Sequence, residues 1–94
     1  MLLMTDLAQV KRQCRVDFDD DDELLTGLAE AAEAEVIRWT GRTAEELLDM
    51  GAGDIPAPLR QAVLIRVAQF YAQPEGTDKP NALFESLIRP YQKI

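Results

Sequence analysis

Apolar residues recur at helical spacing from the start of the chain, beginning with Leu7, Val10 and Cys14. Residues spaced in this way lie on one face of an α-helix, so the pattern predicts a short first helix that ends near residue 13. Thr5 is placed to cap this helix, because a threonine hydroxyl can accept a hydrogen bond from a free N–H of the first turn. The chain is therefore expected to begin with a helix.

A longer helix is predicted from the acidic run to about Thr40. Asp20 and Glu23 have the spacing of a capping box, with aspartate replacing the usual serine or threonine. The buried face is expected to be an apolar stripe made of Leu25, Leu28, Ala29, Ala32, Val36 and Trp39. The charged residues that fall largely away from this stripe are Glu30, Glu33 and Arg38. Gly41 is placed to end the helix in the left-handed conformation that glycine tolerates.

The next two predicted helices differ in how much of their surface is apolar. Thr43 and Glu46 form a second capping-box pair, which predicts a brief helix carrying Leu47 and Leu48. After a glycine-containing connector and two prolines, apolar residues cover most of the helical circumference from 59 to about 73. A helix that is apolar nearly all round is buried on several sides. It is expected to be the central helix, or to face a neighbouring subunit as well.

The C-terminal region predicts one more short helix. Pro74 should end the central helix, and residues 75–80 read as a polar loop. Asn81 can cap a last helix whose apolar residues are Leu83, Phe84, Leu87 and Ile88. No segment alternates between apolar and polar residues as a strand does. We therefore predict an all-α fold, a single domain over residues 1–94 that bundles two longer helices with two or three short ones.

Composition narrows the classes of function. The 94 residues carry a net charge of −7, which argues against a general nucleic-acid binder, since such a protein needs a positive surface. A lone cysteine cannot form an internal disulfide, and the start of the chain lacks the basic flank and apolar core of a signal peptide. No uncharged apolar run approaches the roughly 20 residues that a membrane span needs. A soluble, intracellular protein is expected.

The acidic run does not have the spacing of a calcium-binding loop. An EF-hand loop that starts at Asp17 would place Asp22 where glycine is needed and Leu28 where the last glutamate is needed. The acids are better explained as solvated residues at a helix start. Cys14 lies on an apolar stripe, and the chain contains no histidine to activate it, so a buried structural thiol is expected. We predict no enzyme activity, no metal and no cofactor.

A cluster of three cations and one isolated arginine could contact other molecules. Lys11, Arg12 and Arg15 lie on the outer side of the first predicted helix, either as a solvated face, as salt partners of the nearby aspartates, or as an anchor for an acidic partner. Arg66 stands alone among apolar residues of the central helix. An isolated buried charge is costly, so Arg66 should reach solvent or meet an acid. In an oligomer that acid could come from the next subunit.

The chain resembles the small head–tail connector family of tailed phages and prophages, which are also described as adaptor, head-completion or DNA-packaging proteins. The resemblance rests on the order and spacing of segments along nearly the whole chain. These segments are Arg15-Val16-Asp17 with the acidic run, Glu23-Leu24-Leu25, Trp39-Thr40-Gly41-Arg42, Pro58-Leu59-Arg60-Gln61-Ala62-Val63, Val67-Ala68, Phe70-Tyr71 and Leu87-Ile88-Arg89-Pro90-Tyr91.

The resemblance implies an all-α protomer that assembles into a ring of about a dozen copies beneath the portal. Such a ring would join the portal to a tail-side completion protein and line the DNA passage without reading its sequence. It would assemble in the host cytoplasm and reside at the head–tail junction of the virion, with no membrane contact. We predict contacts between chains or with partners at Lys11, Arg12, Arg15, Arg66, Arg89 and Tyr91. The alternative is a small helical adaptor or regulator that acts as a monomer or dimer.

Overall fold

The computed structural model describes residues 4–72 and 79–93, and these residues form five α-helices and one 3-10 turn. The helices are α1 (Leu7–Cys14), α2 (Asp22–Thr40), α3 (Ala44–Met50), α4 (Ala57–Ala72) and α5 (Ala82–Ile88), and the 3-10 turn is Arg89–Tyr91. No strand occurs within the described ranges. The all-α prediction is confirmed, with two longer helices and three short ones. None of the described helices combines the length and hydropathy that a bilayer span requires.

The helix α4 is the centre of the fold. It packs against α1, α2 and α5, and it buries residues on more than one side, namely Leu59, Ala62, Val63, Arg66 and Val67. The all-round apolar pattern predicted this position. Each fully buried aliphatic side chain contributes about 1.5–3 kcal/mol relative to leaving it exposed. Most of the stability is therefore expected to come from helices packing on α4.

Apart from α4, the helix α2 contributes the most buried apolar residues to the core. Leu25, Ala29, Ala32 and Val36 are fully buried, as the predicted stripe required. The small alanine side chains allow neighbouring helices to approach α2 closely. At the end of this stripe the half-buried Trp39 packs edge-on against Phe84 of α5, with ring centroids 5.5 Å apart. This contact joins α2 and α5, which both also pack on α4.

Two predicted N-caps are wrong by one residue. Asp6, not Thr5, caps α1: Gln9 N–H donates to Asp6 Oδ1 at 2.8 Å, and the Gln9 side chain accepts from Asp6 N–H at 3.1 Å. The Thr5 hydroxyl instead donates to Glu33 Oε2 at 3.2 Å. The residue before α2 is Asp21, not Asp20, and its side chain makes no capping bond. The spacing of Asp6 and Gln9 is itself that of a capping box, a local signal that the prediction missed.

Three other helix ends are as predicted. Gly41 ends α2 with φ +70°, the left-handed conformation expected there. Thr43 and Glu46 form a reciprocal capping box at the start of α3, with donor–acceptor distances of 3.2 and 3.0 Å. Asn81 accepts from Phe84 N–H at 2.9 Å and so caps α5. The predicted stop at Pro74 and most of the loop 75–80 lie outside the described residues.

The prediction that Glu33 points away from the core is wrong. This residue is 3% exposed and lies beside the apolar stripe of α2. It follows Ala29 by four residues and precedes Val36 by three, so helical geometry places it next to that stripe. Glutamate is rarely buried without partners, and Glu33 has several.

Candidate functional site

The charge of Lys11 is engaged within the chain. Its Nζ lies 2.7 Å from Asp19 Oδ1 and 2.9 Å from Asp22 Oδ1. These contacts hold the turn between α1 and α2, and they raise the pKa of Lys11 and lower the pKa of Asp19. Lys11 is thus a salt partner of the acidic run, one of the alternatives expected for it. Its role as a contact with another molecule stays a prediction.

Arg12 and Arg15, the other two cations of this group, are exposed. Arg15 adopts φ +58° and ends α1, an uncommon backbone conformation for a residue with a side chain. Its N–H donates to the Arg12 carbonyl at 3.2 Å. The turn therefore presents two guanidinium groups on the surface beside the acidic run. This arrangement offers two charged donors to a carboxylate-bearing partner.

Three acids of the run make structural contacts, Asp19 and Asp22 with Lys11 and Asp21 with Tyr71. Tyr71 donates its hydroxyl to Asp21 Oδ2 at 2.7 Å, which ties the end of α4 to the start of α2. The same bond raises the pKa of Tyr71. Asp17, Asp19 and Asp20 are exposed, and no group of three acids, cysteines or histidines in the described residues is arranged to hold a metal ion.

Arg66 meets an acid of its own chain. Its Nε lies 2.5 Å from Glu35 Oε1, and its Nη2 lies 3.4 Å from Glu35 Oε2. The guanidinium also contacts Gln69 and sits 4.4 Å from the ring centre of Phe70, a cation–π distance. Arg66 is only 7% exposed, so these partners compensate for its loss of solvation. The acid that the sequence required is Glu35 of α2, while a contact between chains stays a prediction.

The buried Glu33 holds the N-terminal segment against α2. Its Oε2 accepts from Met4 N–H at 2.7 Å, from Thr5 N–H at 3.0 Å and from the Thr5 hydroxyl at 3.2 Å. Arg60 of α4 completes the attachment by donating to the Met4 carbonyl at 3.0 Å. Sequence reasoning missed this site, although the helical position of Glu33 beside Ala32 is a usable signal.

The C-terminal segment is attached to the end of α2. Arg42 Nε donates to the Tyr91 carbonyl at 2.8 Å, and Lys93 N–H donates to the Thr40 carbonyl at 2.7 Å. Gln92 Nε2 adds a bond to the Trp39 carbonyl at 3.1 Å. These bonds satisfy carbonyls that a helix end leaves without partners. The run Trp39-Thr40-Gly41-Arg42 is thus the attachment point of the C-terminal segment.

The predicted contact residues of this segment have different exposures. Arg89 is exposed, whereas Tyr91 is half-buried against the core. Arg89 is therefore accessible to another molecule, while the Tyr91 backbone is already bound by Arg42. The six predicted contact residues are distributed over α1 and its C-terminal end, α4 and the C-terminal turn.

Several large apolar side chains are exposed. Leu83 is 56% exposed, Leu24 and Phe18 are each 51% exposed, and Met50 and Leu48 also reach solvent. Single exposed apolar residues are common on soluble proteins, so their number alone decides little. Their placement on α2, α3, α5 and the α1–α2 turn nevertheless marks surfaces on which a protein partner could pack.

Cys14 has the environment of a structural thiol. It is half-buried and packs against the core, and burial raises its pKa. A raised pKa keeps the sulfur protonated and weakly nucleophilic near neutral pH. The thiol is half-buried rather than buried as predicted, and its structural role stays a prediction.

Comparison with known proteins decides the family. The family model of the phage gp6-like head-tail connector proteins matches residues 4–92. The chain belongs to this family. The fold is similar to that in the crystal structure of bacteriophage HK97 gp6, with a TM-score of 0.76 and 31% sequence identity over 93% of this chain and 91% of that chain. No curated protein matches the chain.

Membership in the gp6-like head-tail connector family supports a structural connector role in a phage. The resemblance drawn from segment order is confirmed. The structure also explains two of those segments: Arg15-Val16-Asp17 forms the left-handed end of α1 and the start of the turn, and Trp39-Thr40-Gly41-Arg42 receives the C-terminal segment.

Proposed function

We propose that this connector assembles into a closed ring that joins the portal to a tail-side completion protein and lines the DNA passage. The observation that carries the proposal is the match in both sequence and fold to head-tail connectors along nearly the whole chain. Assembly in the host cytoplasm and residence at the head–tail junction of the virion follow from the same role. Repetition of one contact around an axis is the simplest way for identical chains to form a closed ring.

The net negative charge of the chain supports passage of DNA without tight binding. The chain carries a net charge of −7, and Asp17, Asp19 and Asp20 are exposed. Like charges disfavour phosphate binding, so an acidic lining lets the duplex slide without adhering. The proposal accordingly includes no sequence-specific DNA recognition.

Exposed cations are proposed to anchor the protein partners. Arg12 and Arg15 lie together at the end of α1, and neither side chain is buried. Guanidinium groups bind carboxylates in a bidentate manner, so an acidic surface on the portal or on the tail-side protein is the expected counterpart. Lys11 supports this site indirectly, since its charge holds the adjoining turn.

The decisive experiment is light scattering against protein concentration, for the connector alone and for the connector mixed with its portal. A ring predicts a discrete high-mass species in at least one of these samples. A protein that remains monomeric or dimeric in both would overturn the ring proposal and favour the small helical adaptor.

A second experiment tests the DNA passage. Assembled connector should leave the mobility of double-stranded DNA unchanged in a gel-shift assay near physiological salt. Tight binding that weakens steeply with added salt would contradict the acidic lining, because that dependence is typical of phosphate neutralisation.

Partner anchoring can be tested with Arg12→Ala/Arg15→Ala, which should weaken portal binding without lowering the stability of the chain. Gln13→Ala, an exposed change between them, is the matched control. Equal portal binding by the double variant and the control would remove these two residues from the proposed contact.

A further inference from the structure

The solvent-facing side of α2 carries an unusual set of exposed residues. We define the α2 outer face as the exposed residues of positions 22–34, namely Glu23, Leu24, Gly27, Glu30, Ala31 and Ala34; the exposed Arg38 lies one turn further along the same stripe. Helical geometry places Leu24, Gly27, Ala31 and Ala34 on one stripe, opposite the buried stripe of the same helix. The outer face therefore combines one large apolar side chain, three small residues and two acids.

No close contact within the protomer requires glycine at position 27. It lies in the interior of α2, and a Cβ atom built there would meet nothing within 4 Å. Glycine in a helix interior is less stable than alanine, so the position carries a cost that the protomer does not require. A glycine followed by alanines on an exposed stripe permits another helix to approach the backbone of α2 closely.

A second surface has the complementary character. We define the α5 outer face as Lys79, Ala82, Leu83, Ser86 and Arg89, all of which are exposed. Leu83 is the most exposed large apolar residue of the described chain, at 56%. Two cations flank it along the segment, whereas Glu85, the acid of this helix, is half-buried.

We propose that the α5 outer face of one copy packs on the α2 outer face of the next copy, with Leu83 seated over Gly27 and Ala31. This inference rests on the proposed ring. It commits to a second copy of this chain because the first turns of the α2 outer face carry acids where the α5 outer face carries cations, and because a protruding leucine on one face meets small residues on the other. A contact between two different faces of the same chain is heterologous. Repeating such a contact generates a closed ring when the rotation from each copy to the next adds up to a full turn.

The positions of the two faces within the protomer allow this contact to repeat. Both α2 and α5 pack on α4, and the buried residues of each helix face the core, so their outer faces point away from it. The two helices meet each other at Trp39 and Phe84, which lie on neither outer face. Each copy can therefore offer its α5 outer face to one neighbour and its α2 outer face to the other.

The first test is Gly27→Leu, examined by light scattering and thermal unfolding. The substitution fills space that is empty in the protomer and improves helix propensity, so the unfolding midpoint of the chain should not fall. Self-association, or assembly on the portal, should weaken at least tenfold. The control Ala8→Leu places the same side chain on the exposed side of α1 and should assemble normally. Normal assembly by Gly27→Leu would overturn the proposed contact.

The second test uses charge reversal and mixing. One variant carries Glu23→Lys and Glu30→Lys, and the other carries Lys79→Glu and Arg89→Glu. Each variant alone should assemble poorly, because both of its faces then carry the same sign of charge. An equimolar mixture should regain assembly, since each altered face meets a complementary face on the other variant. Failure of the mixture, with both variants folded by circular dichroism, would count against this pairing of faces.

The outcomes separate this contact from the proposed function. If the unaltered chain forms a ring and all these variants also form it, the ring stands and the contact lies elsewhere. If the unaltered chain never assembles, alone or with its portal, the ring itself is overturned.

Discussion

The two sides of α2 differ in how far a single chain accounts for their residues. On the inner side, Leu25 and Val36 are fully buried in the core, and Glu33 has three hydrogen bonds to the N-terminal segment. On the outer side, Gly27 meets no neighbour that would explain it, and Leu24 is half-exposed. The inner side is thus determined by folding, whereas contacts within the protomer do not account for Gly27 or Leu24 on the outer side.

This difference separates stability from assembly. Substitutions that leave a buried charge or donor without its partner cost several kcal/mol, because the group cannot return to water. Exposed substitutions that spare glycine, proline and capping residues usually change stability by less than about 0.5 kcal/mol. Changes to the inner side should therefore alter the free energy of unfolding, and changes to the outer side should alter association. The following predictions test this separation, measured at concentrations where the chain is monomeric.

The largest effect is expected for Arg66→Leu, which removes the partner of Glu35 from the flank of α2. The Glu35 side chain is 14% exposed and would be left with an uncompensated charge. The free energy of unfolding should fall by about 3 kcal/mol, as found when one member of a buried ion pair is removed. Urea denaturation measures this change.

The matched control is the double variant Arg66→Leu/Glu35→Leu. Replacing both members of a buried ion pair with apolar residues is often neutral, so the double variant should regain most of the lost stability. If Arg66→Leu were as stable as the unaltered chain, the pair would have no structural importance, and Arg66 would again be a candidate for a contact between chains.

A smaller loss is expected for Glu33→Ala. The substitution leaves Met4 N–H and Thr5 N–H, both in buried residues, without their acceptor, and the free energy of unfolding should fall by about 2 kcal/mol. Hydrogen exchange at these two amides should also accelerate more than exchange in α4. Glu30→Ala, on the outer side of the same helix, should change stability by less than about 1 kcal/mol. Equal effects of the two substitutions would contradict the distinction between the sides.

The sequence predicted the features that depend on nearby residues. Gly41, the capping box of Thr43 and Glu46, and the cap at Asn81 each involve contacts within a few positions, and all three are present. Helical periodicity likewise placed α4 at the centre, because an all-round apolar surface requires several packing partners. The class of the fold follows from such local rules.

Features that depend on distant residues could not be predicted in the same way. The sequence required an acid or solvent for Arg66, but only the fold selects Glu35, which is 31 positions away. Thr5 is held by Glu33, 28 positions away, and this contact has no local signal, although the capping box that starts α1 does. The attachment of Tyr91 to Arg42 spans 49 positions and has no local signal. Most of the candidate contact surfaces depend on these tertiary arrangements.

The smallest effects on the free energy of unfolding are expected for substitutions of Gly27, inside α2, and Gly41, at its C-terminal cap. The two effects should have opposite signs. Gly41→Ala forces a side chain into φ +70° and brings Cβ to 3.5 Å from Lys93 Cβ, so the free energy of unfolding should fall by about 1 kcal/mol. Gly27→Ala should raise it by about 0.5–1 kcal/mol, because alanine favours the helix and meets no neighbour. Urea denaturation of both variants checks the signs. A loss of stability in Gly27→Ala would mean that the outer side of α2, like the inner side, is constrained by the protomer itself.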